Sequence, residues 1–228
     1  LLPTLGAAVL AAAGFGSAQA ADINLTGWAF GSGQSVSVAV PTYNGQAGGF
    51  VGQLSNAGIF NSNNFITYCV ELTESFSLPS AMTGFSIVSG ASYAHWNNQN
   101  GSGNTSASVA SKIGKLMTYA YSNPTFVDSS AESGSLQLAI WNTIYDNDST
   151  LGSGLFKNTA NTGINTWANT MLTSSASVTA QYNVFVLTKA GSQDFLLLQR
   201  VPAPASLALA GLALALLWQS RRRAAAQV

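Results

Sequence analysis

One cysteine and one distant glutamine of this chain could do chemistry together. Cys69 lies in Ile66-Thr67-Tyr68-Cys69-Val70-Glu71-Leu72, and Gln137 in Leu136-Gln137-Leu138-Ala139-Ile140-Trp141-Asn142. A thiol held against a carboxamide in a dry pocket can attack the side-chain carbonyl and expel ammonia, leaving an internal thioester. In water that exchange is unfavourable. Fixed geometry can supply a large part of the barrier, up to about 7–11 kcal/mol in well-oriented intramolecular cases. A strand would hold the sulfur rigidly. A helix start facing it would offer free backbone N–H groups near the developing negative charge. The product is an electrophile that an amine on another surface can open, forming a covalent link.

Other chemistries fit the residues less well. A lone cysteine closes no internal disulfide. One His and one Cys cannot assemble an ordinary zinc site of N/S type. Asp146-Asn147-Asp148-Ser149-Thr150 puts oxygen ligands at alternate positions, like the start of a calcium loop. Its glycine, however, falls at Gly152 rather than the sixth position, and no bidentate Glu follows. It reads as a polar turn after a helix. No metal and no cofactor are expected. A cysteine hydrolase built from Cys69 and His95, with Asp128 or Asp146 orienting the imidazole, is permitted by the inventory. No family pattern surrounds His95, and Tyr93-Ala94-His95-Trp96 borders a polar loop. The plainest alternative gives the residues no chemistry. Cys69 is then a small buried hydrophobe, Gln137 an exposed helix residue, and Tyr68 and Trp141 core aromatics. The protein would be structural, with no reactive bond.

The elements that must position Cys69 and Gln137 differ in period. Residues 21–80 read as strands: 35–40 alternates, as does part of 64–72, and Gly and Asn clusters separate the runs. Cys69 falls late in one such strand. A further strand is expected at 84–88, then a polar loop at 97–104. Val109, Ile113, Leu116, Met117 and Ala120 then fall at helical spacing through Tyr121, and Asn123-Pro124 ends that helix. A second helix should start near 130–135 and run to Tyr145. Leu136, Ile140 and Ile144 form its apolar stripe, and Gln137, Trp141 and Tyr145 the adjacent one. A third helix is expected at 164–172, and strands return at 182–188 and 194–199. Strands, then helices, then strands predict an α+β domain: a β-sandwich or barrel with an inserted helical subdomain.

The two ends read as sorting segments. Residues 1–16 are Leu, Ala, Val and Gly-rich, and Ser17-Ala18-Gln19-Ala20 supplies an A-x-A cleavage pattern. Residues 1–20 are therefore expected to be a signal peptide, truncated because no Met and no basic first segment precede the apolar run. At the other end, Val201-Pro202-Ala203-Pro204-Ala205-Ser206 leads into a Leu/Ala stretch. It reaches Trp218 and is followed by Arg221-Arg222-Arg223. Residues 205–218 would make a helix about 21 Å long, short for a full span. The arginines would orient it with its basic end in the cytoplasm. A C-terminal transmembrane helix is expected there. Between the ends, residues 21–200 suit one domain with a real core. Five basic residues against eight acids leave that span at −3, which gives nucleic acid no basic patch to bind.

Tyr68-Cys69-Val70-Glu71 and Gln137-Leu138-Ala139-Ile140-Trp141 together resemble the two halves of a Cys-Gln thioester domain of the TQxA type. In that family an aromatic residue precedes the cysteine, and a small apolar residue plus an acid follow it. The glutamine normally follows Thr, here replaced by Leu136. The helix from Lys112 to Tyr121 is similar to one found between the two motifs. The resemblance covers roughly residues 68–145. It implies a bond between Cys69 and Gln137, with Tyr68 and Trp141 walling water away from it. It further implies a single-use covalent attachment to a surface or matrix amine rather than a turnover enzyme. The tail, 201–228, resembles a PEP-CTERM sorting signal, with Ala203 where an acid usually stands between the prolines. That resemblance implies a Gram-negative exported protein of the cell envelope, handled by an exosortase, in an exopolysaccharide or biofilm setting.

Overall fold

In the computed structural model, the structure describes residues 20–122 and 126–202. The expected signal peptide, the Asn123-Pro124 helix stop and nearly all of the C-terminal sorting signal lie outside them. Among the described residues no helix is long and apolar enough to cross a membrane.

The α+β class holds. Among the described residues, eight strands flank three helices in chain order: β1 (Ala21–Trp28), β2 (Gln34–Val38), β3 (Tyr43–Ala47), β4 (Phe50–Ser55), β5 (Ser62–Thr67), β6 (Ser80–Ser89), α1 (Ser106–Tyr121), α2 (Ser130–Tyr145), α3 (Gly163–Ser175), β7 (Tyr182–Lys189) and β8 (Ser192–Arg200). Six strands make one antiparallel sheet in the order β5-β4-β1-β6-β7-β8, and β2 and β3 form a separate hairpin. The helices are an insertion between β6 and β7, which pair directly from Ser86↔Thr188 to Ser89↔Phe185.

The sheet curls until its two edges meet. β5 stops at Thr67, but Thr67 Oγ1 donates to Leu196 O (2.7 Å). Beyond it Leu196 N donates to Tyr68 O (2.9 Å) and Val70 N to Asp194 O (3.1 Å). Strand twist accumulates in one hand, so a six-stranded sheet can bring its edges together, and pairing them satisfies backbone groups that a free edge leaves open. A register slip in β1 between Leu25 and Gly27 adds curvature. Opposite it, Gly52 lies so close to β1 that a Cβ there would stand 2.0 Å from Asn24 O.

α2 is the centre of the molecule. Every residue from Ser133 to Tyr145 is buried. The sequence pattern predicted an apolar stripe with Gln137, Trp141 and Tyr145 beside it; instead the segment past β5, the β2–β3 hairpin and helices α1 and α3 together bury α2 from Ser133 to Tyr145. A helix enclosed all round must satisfy its polar side chains internally. Ser133 Oγ accepts from Gly49 N (2.8 Å), and Ser135 Oγ reaches Ala131 O and Ile164 O (2.8 and 2.9 Å). The helix opens on a capping box in which Ser129 Oγ accepts from Glu132 N while Glu132 Oε2 accepts from Ser129 N. Gly134 lets the helix approach the hairpin, since a Cβ there would meet Gln34 Cγ at 2.6 Å.

The acidic stretch after α2 is a turn held by its own carboxylates. Asp146 Oδ2 accepts from Phe156 N (2.8 Å) and Leu155 N, and Asp148 Oδ1 from Thr150 N (3.1 Å).

Candidate functional site

The site is the segment just past β5, laid along α2. Cys69 is not inside a strand, as the alternating pattern predicted. It lies two residues beyond β5, in an isolated antiparallel bridge to Phe195 of β8. Sheet closure, rather than strand membership, fixes its backbone. Gln137 and Tyr145 stand eight residues apart on α2, about 12 Å along its axis. Cys69 and Leu72 stand three apart, about 10 Å if extended. The two spans match, and side chains of α2 bind backbone groups at both ends of the segment. Tyr145 Oη accepts from Leu72 N (3.1 Å). Gln137 Oε1 accepts from Cys69 N (2.9 Å), and Gln137 Nε2 donates to Cys69 O (2.8 Å). The expected stripe of Gln137, Trp141 and Tyr145 is therefore the face that grips residues 69–72.

Those two hydrogen bonds hold the Gln137 carboxamide against the cysteine it would acylate. Both residues are buried, Gln137 at 1% and Cys69 at 7% exposure. The Cys69 N–H already points at the oxygen that would carry negative charge in a tetrahedral intermediate, which is the role of an oxyanion donor. The expectation that a helix start would supply that donor is corrected. Gln137 is the eighth residue of α2, beyond its second turn, where backbone N–H groups already bond within the helix. The donor comes from the cysteine itself.

No family model, curated protein or solved structure matches this chain. The case for the site therefore rests on its geometry.

Cys69 opens onto a cavity of about 330 Å³ lined by aromatic rings, Trp28, Tyr43, Phe50, Phe76 and Trp141, and by Glu71 and Glu74. Trp141 is buried and stands edge-on to Tyr43, ring centroids 5.3 Å apart. Among the described residues its Nε1 has no hydrogen-bond partner. Tyr68 is buried too, but it packs over Gly49, where a Cβ would meet its Cζ at 2.9 Å, and it is not a wall of the cavity. Burial pushes its phenol up to about 12. Sequence reasoning picked Trp141 but missed Tyr43, Phe50 and Phe76, because nothing local marks a strand or loop aromatic as facing one cysteine.

Burial, reinforced by the nearby Glu71 carboxyl, pushes the Cys69 thiol far above its ordinary range. A hydrolase triad is not assembled around it. His95 Nε2 stands 3.5 Å from Glu71 Oε2 and lines a neighbouring cavity. Asp146 is engaged by loop N–H groups, and the Asp128 carboxyl is fully exposed. Among the described residues no group of three or more His, Cys, Asp or Glu could hold a metal ion.

Replacing Tyr145 with Phe should leave the buried Leu72 N–H without an acceptor. The expected loss is about 1–3 kcal/mol, read as a lower denaturant midpoint at unchanged slope. An unchanged midpoint would show that Leu72 is not held by this bond.

Proposed function

We propose that this chain carries an internal thioester between Cys69 Sγ and the Gln137 side-chain carbonyl carbon, and uses it to attach covalently to an amine on a surface or matrix target. The observation that carries the reading is the buried pairing of the Gln137 carboxamide with both backbone polar groups of Cys69. In this geometry the carbonyl already accepts from the N–H that would stabilise its oxyanion. The aromatic walls limit water, the competing nucleophile. Each bond is consumed once, so the protein acts as a covalent adhesin rather than a turnover enzyme. The test is the mass of intact, freshly folded protein, which should be one ammonia below the sequence mass.

The same hydrogen bonds favour a second reading. A buried glutamine that satisfies a neighbouring backbone is also what a purely structural lock requires. On that reading the protein is a non-reactive exopolysaccharide or biofilm matrix component. Full sequence mass with a titratable Cys69 thiol would select it.

Sorting is part of the proposal. The apolar run and Arg221-Arg222-Arg223 suit an exported, envelope-associated protein recognised by an exosortase. Truncation after Pro202 keeps the Val201 N to Gln181 O bond (2.8 Å). It should release the protein from the membrane fraction, because it removes the apolar segment and its basic flank. Unchanged membrane association on fractionation would refute the sorting assignment.

A further inference from the structure

An acyl bond at Cys69 poses a proton problem. Burial and the Glu71 carboxyl make a thiolate at this position unfavourable, so the sulfur is a poor leaving group unless it is protonated as its bond to carbon breaks. Formation of the bond has the mirror requirement: the thiol must give up its proton on the way in. A positioned side chain that can do both would contribute the factor typical of general acid–base catalysis.

Glu71 is placed for it. Its side chain lines the same cavity as Cys69 and also a second cavity, of about 430 Å³, lined by His95, Tyr93, Lys189 and Asp194. The carboxyl is buried and held from two sides. Oε1 accepts from Asp194 N (3.0 Å), and Oε2 faces His95 Nε2 at 3.5 Å. The titratable groups around it are Cys69 and Glu74 from its own segment, Asp194 from β8, Tyr93 and His95 from the stretch before α1, and Tyr145 from α2, with Lys189 on the far wall. Burial first, then the charges of Asp194 and Glu74, push the Glu71 carboxyl up to about 8. Such a group exchanges a proton readily near neutrality.

We propose that Glu71 is the proton shuttle of this site, taking a proton from the incoming amine and delivering it to the Cys69 sulfur. The proposal rests on the thioester reading. In opening, the amine lone pair forms a C–N bond to the Gln137 acyl carbon, and the Glu71 carboxylate accepts a proton from that nitrogen. The C–S bond then breaks with its electron pair on sulfur, and Glu71 returns the proton there. Amine and thioester become amide and thiol; nothing is oxidised or reduced. Formation runs the same path backwards, with the thiol proton passing through Glu71 to the departing ammonia.

The test uses trifluoroethylamine, which stays neutral through the neutral and mildly alkaline range, so that ionisation of the nucleophile does not shape the profile. The opening rate of the wild-type bond, followed by mass, should rise with pH to a plateau, with its inflection near the Glu71 ionisation at about 8. Glu71→Gln should open at least about a hundredfold more slowly and lose the inflection. A variant that refolds but forms the bond correspondingly slowly reports the same loss in reverse. A flat wild-type profile overturns the proposal even if Glu71→Gln does not fold. So does a folded Glu71→Gln that forms and opens the bond as wild type does, and in that case the thioester itself stands. Wild-type protein of full sequence mass removes both.

Discussion

Freshly folded wild-type protein should weigh one ammonia less than its sequence, and methylamine should add to Gln137 while freeing one thiol. This is the largest effect expected, because it is all-or-none in a chain with a single cysteine. The two partners should then separate by their side effects. Cys69→Ala abolishes the mass deficit and the methylamine adduct. It trims one small side chain and leaves the backbone bonds to Gln137 in place, so the stability loss should be modest, on the order of 1 kcal/mol. Gln137→Ala abolishes the deficit as well and leaves a thiol that titrates after unfolding. It also strands the buried N–H and C=O of Cys69. At about 1–3 kcal/mol for each unsatisfied group, it should cost several times more than Cys69→Ala. Chemistry and stability thus part company: both variants lose the bond, and only one loses much of the fold. Equal melting temperatures for the two variants would contradict the hydrogen-bonded geometry, whatever the mass spectrum shows.

Trp141→Ala is expected to have the largest effect on stability and to shorten the life of the bond. The indole is 2% exposed, sits edge-on to Tyr43 and closes one side of the cavity beside Cys69. Removing a buried tryptophan typically costs about 3–5 kcal/mol, or a melting-temperature drop of roughly 10 °C in a domain of this size. The enlarged cavity would admit water to the acyl bond, and hydrolysis turns Gln137 into glutamate with a free Cys69. Mass spectra of the stored variant should therefore drift from one ammonia below the sequence mass to the glutamate mass faster than wild type. Trp141→Phe should recover most of both losses, since among the described residues Nε1 has no partner to lose. Wild-type melting and wild-type persistence of the bond in Trp141→Ala would show that the ring neither supports α2 nor shields the site.

Much of the contact between α2 and residues 69–72 is legible in the sequence for local reasons. The i, i+4 spacing of Gln137, Trp141 and Tyr145 put them on one face, and that face does grip residues 69–72. Sequence reasoning missed the capping box, although Ser129 and Glu132 stand at the required separation and mark a sharper start for α2 than the range read from apolar periodicity. Tyr68 shows the opposite limit. Its neighbour Cys69 faces the cavity, but adjacent residues of an extended chain point to opposite sides, so closeness in sequence placed Tyr68 over Gly49 instead. Glu71 was noted only as part of a motif. Its significance comes from β8 and from the turn that bears His95, neither of which any local pattern links to it.

Composition and periodicity alone determined the α+β class, the order of strands and helices, and the presence of one thiol with no competing cysteine. These follow from properties each segment carries by itself: apolar period, turn residues and residue inventory. Only the tertiary structure decided that the sheet curls until β8 meets the chain past β5. It also decided that α2 is enclosed on every side, and that the Cys69 N–H, not a helix terminus, points at the Gln137 carbonyl. The physical reason is range. The pairing that fixes Cys69 joins residues more than a hundred positions apart. Its free energy comes from closing a sheet edge and burying a helix, and neither is written in the residues nearby.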